Sequence, residues 1–270
     1  MWSSLMTKTY TLSSGDVVLE KRTKTPLIIF ILGLLVFYAA RITGVDLSQF
    51  IRRIHEFFTI IGSLLQPNWG YTVKILPELF QTIKMSLFGS IIGAALALPL
   101  AVIASANIIS NRFINGLVKS GLSLIRTVPT LVMALIATYV FDLPMMAGTV
   151  AIILFTTSYI GKLMYEALEN VDIGAFQAME ALGADKLTAF RLAIFPHVFP
   201  TYLSTSLYSF EGNVRYAAIL GYVGAGGIGR LINETIGWRD YESLGMIIVL
   251  LVITVFLIES LSGYFRRKLI

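Results

Sequence analysis

The sequence has 270 residues, of which 56% are hydrophobic and only 14% are charged, and it contains no cysteine. A soluble domain carries roughly 25% charged residues, so this composition indicates a membrane protein, and the lack of cysteine excludes a disulfide framework and a cysteine nucleophile. The formal net charge of +5 comes from 21 Lys and Arg against 16 Asp and Glu, an excess that in a membrane protein indicates topology more simply than nucleic-acid binding.

The N-terminal part of the chain begins with a polar, basic segment, residues 1–25, that we predict to be a cytoplasmic tail. Residues 26–45 form the first apolar run, which at ~1.5 Å per residue is long enough to cross a hydrocarbon core of ~30 Å. Because no convincing small-residue cleavage site ends this run, we interpret it as a retained signal anchor. Residues 46–77 then mix apolar and charged side chains at helical spacing, a pattern that predicts a helix lying in the membrane interface.

Five further apolar segments complete a predicted membrane domain, residues 26–270. They lie at 79–106, 117–141, 145–168, 198–221 and 244–262. In the first of these five, Gly89 and Gly93 belong to a small-residue pattern that allows close helix contact. In the next, Arg126 is followed by Pro129, which predicts a kink. The sequence therefore predicts an all-α polytopic membrane protein with about six transmembrane helices.

The topology follows from the basic residues. An even number of spans puts both termini on one side of the membrane. With the termini inside, the inner segments hold about twice as many Lys and Arg as the outer ones, the bias expected of cytoplasmic loops. We therefore predict cytoplasmic termini and a cytoplasmic position for the polar segment 169–197.

This segment, the 169–197 loop, is an amphipathic stretch between two apolar spans. Asp172 is predicted to cap a first short helix. Four apolar residues share one side of that helix: Ile173, Phe176, Met179 and Leu182. Gly183 is predicted to make the turn into a second short helix, and Pro196 to end it by removing a donor. The chain thus offers a bent helical segment with an apolar ridge.

The run Q-A-M-E-A-L-G-A-D at 177–185, followed by A-I-F-P at 193–196, resembles the E-A-A-x3-G-x9-I-x-L-P loop of the membrane subunits of bacterial ABC importers. Gln177, Ala178 and Met179 occupy the E-A-A positions. The resemblance implies the type I importer permease fold and a coupling helix that sits in a groove of a cytoplasmic ATPase. The residues implied in this coupling are Phe176, Gln177, Ala178, Met179, Glu180, Ala181, Leu182, Gly183, Ala184 and Asp185.

Charged residues inside the predicted spans are candidates for the translocation path or its gate. Glu211 and Arg215 stand four residues apart on one helix face, and because a charge in hydrocarbon is expensive, such a pair faces the protein interior or a water-filled path. The alternative is a pair that only joins helices. Arg126 offers a planar fork that suits an oxyanion, or it snorkels towards the headgroups. Asn213, between the two charged residues, completes this candidate set.

Two segments are similar to the fifth-helix region of phosphonate ABC permeases: F-E-G-N-V-R at 210–215 and G-Y-V-G-A-G-G-I-G at 221–229. The resemblance implies a substrate class of phosphonates or related small phosphorus oxyanions such as phosphite. It also implies the partners: a second permease copy, two cytoplasmic ATPases that bind ATP and Mg, and an external binding protein. The location implied is the bacterial plasma membrane.

The glycine-rich run at 224–229 lacks the G-K-[ST] ending of a nucleotide loop, so we predict a tight outer turn or gate element. His55 and His197 are far apart in the sequence, without zinc spacing, and predict no metal site. We expect this chain to bind no cofactor, to contain no catalytic residue and to hydrolyse nothing.

Two other functions stay open at this point. One is a proton-coupled secondary transporter or channel for a small anion, in which Glu211 carries the proton. The other is a membrane enzyme, which the absence of a nucleophile motif or metal constellation disfavours.

Overall fold

The computed structural model describes residues 7–11, 17–21, 25–44 and 46–269. The chain divides into two units, residues 1–59 and 60–270. The confirmed fold class is helical, with one small hairpin near the N-terminus.

The N-terminal unit starts with this hairpin. Strands β1 (Thr7–Thr11) and β2 (Val17–Lys21) pair antiparallel, with Thr7 opposite Lys21. Helix α1 (Thr25–Ile42) follows; it begins one residue before the predicted first span, residues 26–45, and ends three residues before its end. None of its residues is buried within the chain, a state that suits an apolar helix surrounded by lipid.

Helix α2 (Leu47–Leu64) confirms the helix predicted after the first span. Several of its large apolar side chains are exposed, among them Phe50, Phe57 and Phe58, while its charged residues include Arg52 and Arg53. An amphipathic helix of this kind suits a membrane interface, although its position there stays a prediction.

The remaining helices follow in chain order. They are α3 (Thr72–Ala104), α4 (Arg112–Thr127), α5 (Thr130–Phe141), α6 (Pro144–Asn170), α7 (Gly174–Ala181), α8 (Lys186–Ala189), a π-helical segment (Phe190–Ile194), α9 (Phe195–Leu220), α10 (Ile228–Gly237) and α11 (Tyr241–Leu269).

Four of the described helices, α1, α3, α6 and α11, are long and apolar enough to cross a membrane. Helices α4 and α5 bend by 90° at the break between them, and together they count as one further span at most. The predicted span 117–141 is therefore two helices rather than one kinked helix, because Val128 before Pro129 is extended (φ −82°, ψ 122°). Helix α9 has 26 residues, enough at ~1.5 Å each to span, but Glu211 and Arg215 lower its hydropathy.

Helix α3 packs mainly against α6, and two glycines of α3 make this possible. A Cβ atom at Gly89 would lie 2.5 Å from Ile152 Cγ2, and one at Gly93 would lie 2.6 Å from Thr156 Cβ. The hydroxyl of Thr157 donates to the Gly93 carbonyl at 3.2 Å. The small residues predicted to allow close helix contact therefore do so here.

Replacing Gly93 with leucine is expected to destabilise the fold, because the added side chain meets both Thr156 and the Ile153 carbonyl, which would lie 3.0 Å from the new Cβ. Overpacking of this kind costs ~1–3 kcal/mol or more. The yield of monodisperse protein after detergent extraction and its thermal midpoint measure the effect. Gly121→Leu is the matched control, since a Cβ there has open space; equal behaviour of the two variants would contradict the packing described.

Candidate functional site

Glu211 on α9 lies at the centre of an ion-pair network between α9 and α11. It is only 3% exposed, and its carboxylate accepts hydrogen bonds from Arg215 Nη2 at 2.7 Å and from Arg266 Nη2 at 3.5 Å. Arg215 also donates to Glu259 Oε2 at 3.2 Å. The predicted pair is thus formed, and it belongs to a set of two arginines and two glutamates that ties the two helices together.

Sequence reasoning missed half of this network. Arg266 lies beyond the last predicted span, residues 244–262, at the predicted cytoplasmic terminus, and only the fold brings it to Glu211. Glu259 carried a usable signal, since it is a carboxylate within an apolar span, the same feature that singled out Glu211.

Asn213 lies in a different environment from its two charged neighbours. It is buried, and its side-chain nitrogen donates to Ser90 Oγ on α3 and to Thr156 Oγ1 on α6, each at 2.8 Å. Ser86 Oγ donates to the Asn213 carbonyl at 3.2 Å. The structure therefore places Asn213 at the junction of α3, α6 and α9, where it satisfies polar groups across the helices; a role in the path or gate stays a prediction.

Arg126, the fourth predicted path residue, does not join the network. It is exposed near the C-terminal end of α4, and its guanidinium lies over the ring of Tyr159 on α6 at 5.8 Å from the centroid. Among the described residues it forms no ion pair. This aromatic contact is favourable for a cation but leaves its charge uncompensated.

The 169–197 loop contains the two predicted helices, α7 and α8, and the predicted turn at Gly183. Gly183 has φ +92°, a conformation that favours glycine, and its N–H donates to the Glu180 carbonyl at 2.9 Å. The loop then continues through the π-helical segment into α9. Pro196 therefore does not end the second helix, contrary to the prediction. It lies in the first turn of α9, where the missing donor costs little.

The helix ends in this loop also differ from the prediction. Asp172 does not cap α7, since Ile173 holds that position; the Asp172 carboxylate instead accepts from the Gly174 N–H at 2.9 Å, in the turn before the helix. Asp185 caps α8 through Thr188. The hydroxyl and then the N–H of Thr188 lower the pKa of Asp185. This cap therefore acts above the ordinary pKa of an aspartate and is lost as the pH falls through the lowered value.

The predicted apolar ridge of α7 divides in two. Phe176 is buried in a cluster with Phe190 and Ile194, and it anchors α7 to the helical run that leads into α9. Leu182, by contrast, is 88% exposed, and Leu187 on α8 is 75% exposed. Of the ten residues implied in ATPase coupling, six are exposed: Gln177, Ala178, Ala181, Leu182, Gly183 and Asp185.

The glycine-rich run makes a tight turn between α9 and α10. Gly227 has φ +69°, and a Cβ there would lie 2.5 Å from Thr82 Oγ1 on α3. The Thr82 hydroxyl accepts from the Ile228 N–H at 2.8 Å, and Arg230 on α10 pairs with Glu78 on α3 at 2.6 Å. The turn is confirmed, and its role as a gate stays a prediction.

In the part of the chain that the structure describes, no cluster of three or more His, Asp or Glu side chains could hold a metal ion.

Apolar membrane-length helices joined by an exposed polar loop between α6 and α9 define a polytopic membrane protein. The family described as the inner membrane component of binding-protein-dependent transport systems matches residues 97–270. The chain belongs to this family, which confirms the importer-permease resemblance of the 169–197 loop.

Several relatives are named for phosphorus oxyanions. The phosphate-import permease protein PhnE of Mycolicibacterium smegmatis is 30% identical over 212 residues, 78% of this chain but only 40% of that protein. The phosphite transport system permease protein PtxC of Stutzerimonas stutzeri is 28% identical over 223 residues, 82% of this chain and 81% of that protein. A protein named for cryptic phosphonate transport, PhnE2 of Escherichia coli K12, is 38% identical over 120 residues, 44% of this chain and 98% of that protein.

The fold is also similar to that of solved transporters. A chain of the inward-facing MetNI methionine ABC transporter superposes with a TM-score of 0.67 at 23% identity, covering 75% of this chain and 99% of that one. The likeness confirms the predicted permease fold.

Proposed function

We propose that this chain is the membrane-spanning subunit of an ATP-driven importer for phosphonates or related small phosphorus oxyanions such as phosphite. The observation that carries the proposal is the combination of family membership with relatives named for phosphate, phosphite and phosphonate transport. In this assembly the chain forms the path for the anion and has no chemical step of its own.

The proposed assembly contains a second permease copy, two cytoplasmic ABC ATPases that bind ATP and Mg, and an external binding protein. The proposal for the ATPases is supported by the exposed leucines of the 169–197 loop, Leu182 and Leu187, because large apolar side chains on an otherwise polar segment suit burial by a partner. In the proposed topology both termini and this loop face the cytoplasm.

The proposed mechanism is alternating access. Closure of the ATPase pair on ATP moves the 169–197 loop, and the path then opens to the outside. The helical run from Lys186 to Leu220 is continuous, so a displacement of α8 passes along α9 to Glu211 and Arg215. Their ion pairs with Arg266 and Glu259 pass it on to α11. Return of the helices releases the anion inwards.

The energy source for uptake into vesicles distinguishes this proposal from a proton-coupled transporter, the alternative that family membership disfavours. We expect vesicles holding the complete importer and its binding protein to accumulate radiolabelled phosphite or methylphosphonate only with ATP on the cytoplasmic side, and a protonophore to leave the rate unchanged. Uptake without ATP that collapses with the proton gradient would contradict the proposal.

A further inference from the structure

Glu169, near the C-terminal end of α6 and at the start of the 169–197 loop, is bound to two other elements. Its carboxylate oxygen Oε1 accepts hydrogen bonds from Lys119 Nζ on α4 at 2.7 Å and from the Ala106 N–H, in the turn between α3 and α4, at 2.9 Å. The side-chain amide of Asn107, in the same turn, donates to the Glu169 carbonyl at 2.9 Å and to the preceding carbonyl at 3.3 Å. Four hydrogen bonds thus hold the end of α6.

These hydrogen bonds fix α6 to α4 and to the turn at 105–111. The last four carbonyls of an α-helix have no partner within the helix, and the amide of Asn107 satisfies two of them. Lys119 also lies over the ring of Tyr165 on α6, 5.0 Å from its centroid. The side-chain amide of Asn115 on α4 donates to the Ile109 carbonyl of the turn at 2.9 Å. The three elements therefore form one connected unit at this end.

The rest of the loop packs elsewhere. Val171, directly after α6, is extended (φ −75°, ψ 147°), and α7 begins at Gly174. Helix α7 packs mainly against α8 and the π-helical segment, which lead without a break into α9. Phe176 shares a buried apolar cluster with Leu168 at the end of α6, but apolar contact is non-directional and allows sliding. The chain therefore divides at 171–173 into a part held by α4 and a part joined to α9.

We propose that Glu169 is a positioning residue for the transport cycle. It holds the end of α6 against α4, so that a force on α7 and α8 displaces α9 rather than the end of α6. This inference rests on the proposed function, because the partner ATPase supplies the force. When the end of α6 is loose, part of the displacement is lost there, and ATP is hydrolysed without import of an anion.

The number of ATP molecules hydrolysed per anion imported tests this role, in vesicles that hold the complete importer and its binding protein and are supplied with radiolabelled phosphite or methylphosphonate. Glu169→Gln keeps an acceptor for the Ala106 N–H but loses the charge that faces Lys119. We expect the ratio to rise about two- to fivefold, the range for a partly exposed ion pair. Lys119→Met should raise it equally, and the double variant no further, because both changes break one pair.

Glu166→Gln is the matched control. It removes the partner of Lys162, 3.5 Å away, three residues earlier on α6, and should leave the ratio as it is. A merely structural role for Glu169 would lower the yield of folded protein without changing the ratio, because each folded complex would still couple hydrolysis to import. An unchanged ratio in Glu169→Gln, or a multiplied effect in the double variant, would contradict the proposal.

Spin labels identify the part that moves, and they need no transported anion. The chain has no cysteine, so Ser120→Cys on α4 and Thr201→Cys on α9, both exposed, give one pair of sites. When ATP and vanadate trap the permease–ATPase complex, we expect the distance between these labels to change. Glu169→Ala, which loses both hydrogen bonds of the carboxylate, should reduce that change about twofold or more. Ser120→Cys with Leu163→Cys on α6 is the reference pair, whose distance should stay constant; an equal change in this pair would contradict a fixed end of α6.

Failure of this role is distinguishable from failure of the proposed function. If trapping changes the distance between α4 and α9 equally in the unmodified chain and in Glu169→Ala, the role of Glu169 is wrong and the importer stands. If the unmodified complex shows no change, the proposed coupling to an ATPase fails, and the role of Glu169 with it. If the distance changes as expected but neither phosphite nor methylphosphonate is taken up, only the substrate class is wrong.

Discussion

Gly183→Val is expected to abolish the association of this chain with its ATPase partner and to reduce uptake at least tenfold. The backbone at Gly183 has φ +92°, where a β-branched residue is strained by ~1–3 kcal/mol. The turn that joins α7 to α8 would open, and the exposed side chains of Leu182 and Leu187 would lose their common orientation. Co-purification of the ATPase with tagged permease, together with ATP-driven uptake, measures both effects.

Gly237→Val is the control for this substitution. It adds the same side chain at an exposed glycine with ordinary φ and open space for a Cβ, on the predicted outer side. We expect this variant to retain both ATPase association and uptake. If Gly183→Val does the same, the turn is not part of the coupling surface.

Arg215→Ala is expected to abolish uptake while leaving ATPase association intact. The variant leaves Glu211 buried with only the 3.5 Å contact to Arg266, and it removes a residue predicted to belong to the translocation path or its gate. Loss of one partner from a fully buried pair costs ~3–5 kcal/mol, but the Arg215 side chain is 48% exposed, so the structural part is smaller. Uptake assays and co-purification on the same preparations separate transport from assembly.

A double variant decides whether the pair is functional or only joins helices. The double variant, which combines Glu211→Gln with Arg215→Gln, removes both charges. Its two glutamine side chains on α9 can still form a hydrogen bond with each other. If the pair is structural, this variant should regain uptake; our account expects that it does not. Lys162→Ala, which breaks the partly exposed pair with Glu166 on α6, should change uptake by less than about twofold.

Local sequence features predicted the parts of the fold that depend on local physics. The i,i+4 spacing predicted the contact of Glu211 with Arg215. The apolar spacing of α7 predicted a shared apolar side, but not that Phe176 would be buried against Phe190 and Ile194. Gly89 and Gly93 predicted close helix packing because a missing Cβ has the same consequence in any helix pair.

Features set by tertiary contacts were not accessible in this way. Pro129 predicted a kink, but the 90° bend depends on how α4 and α5 pack against α6. The prediction that Pro196 ends a helix is wrong, because a proline that stops one helix and a proline that starts the next look alike in sequence. Arg266 meets Glu211 across 55 residues, a separation that no local pattern encodes. The strand pair near the N-terminus was not predicted, because the polar composition of residues 1–25 indicated only a tail.

The cytoplasmic exposure of the 169–197 loop is the central claim, and accessibility of a single cysteine tests it most directly. The chain has no cysteine, so Gln177→Cys on the exposed face of α7 gives one site for a membrane-impermeant maleimide, and Trp238→Cys, 81% exposed in the native residue, gives a reference on the predicted outer side. In vesicles that hold the permease without its ATPase, we expect Gln177→Cys to react only when the vesicles are inside-out and Trp238→Cys only from the outside, and added ATPase should protect Gln177→Cys. In the absence of the ATPase, reaction of Gln177→Cys from the outside, or on neither side, would contradict the account.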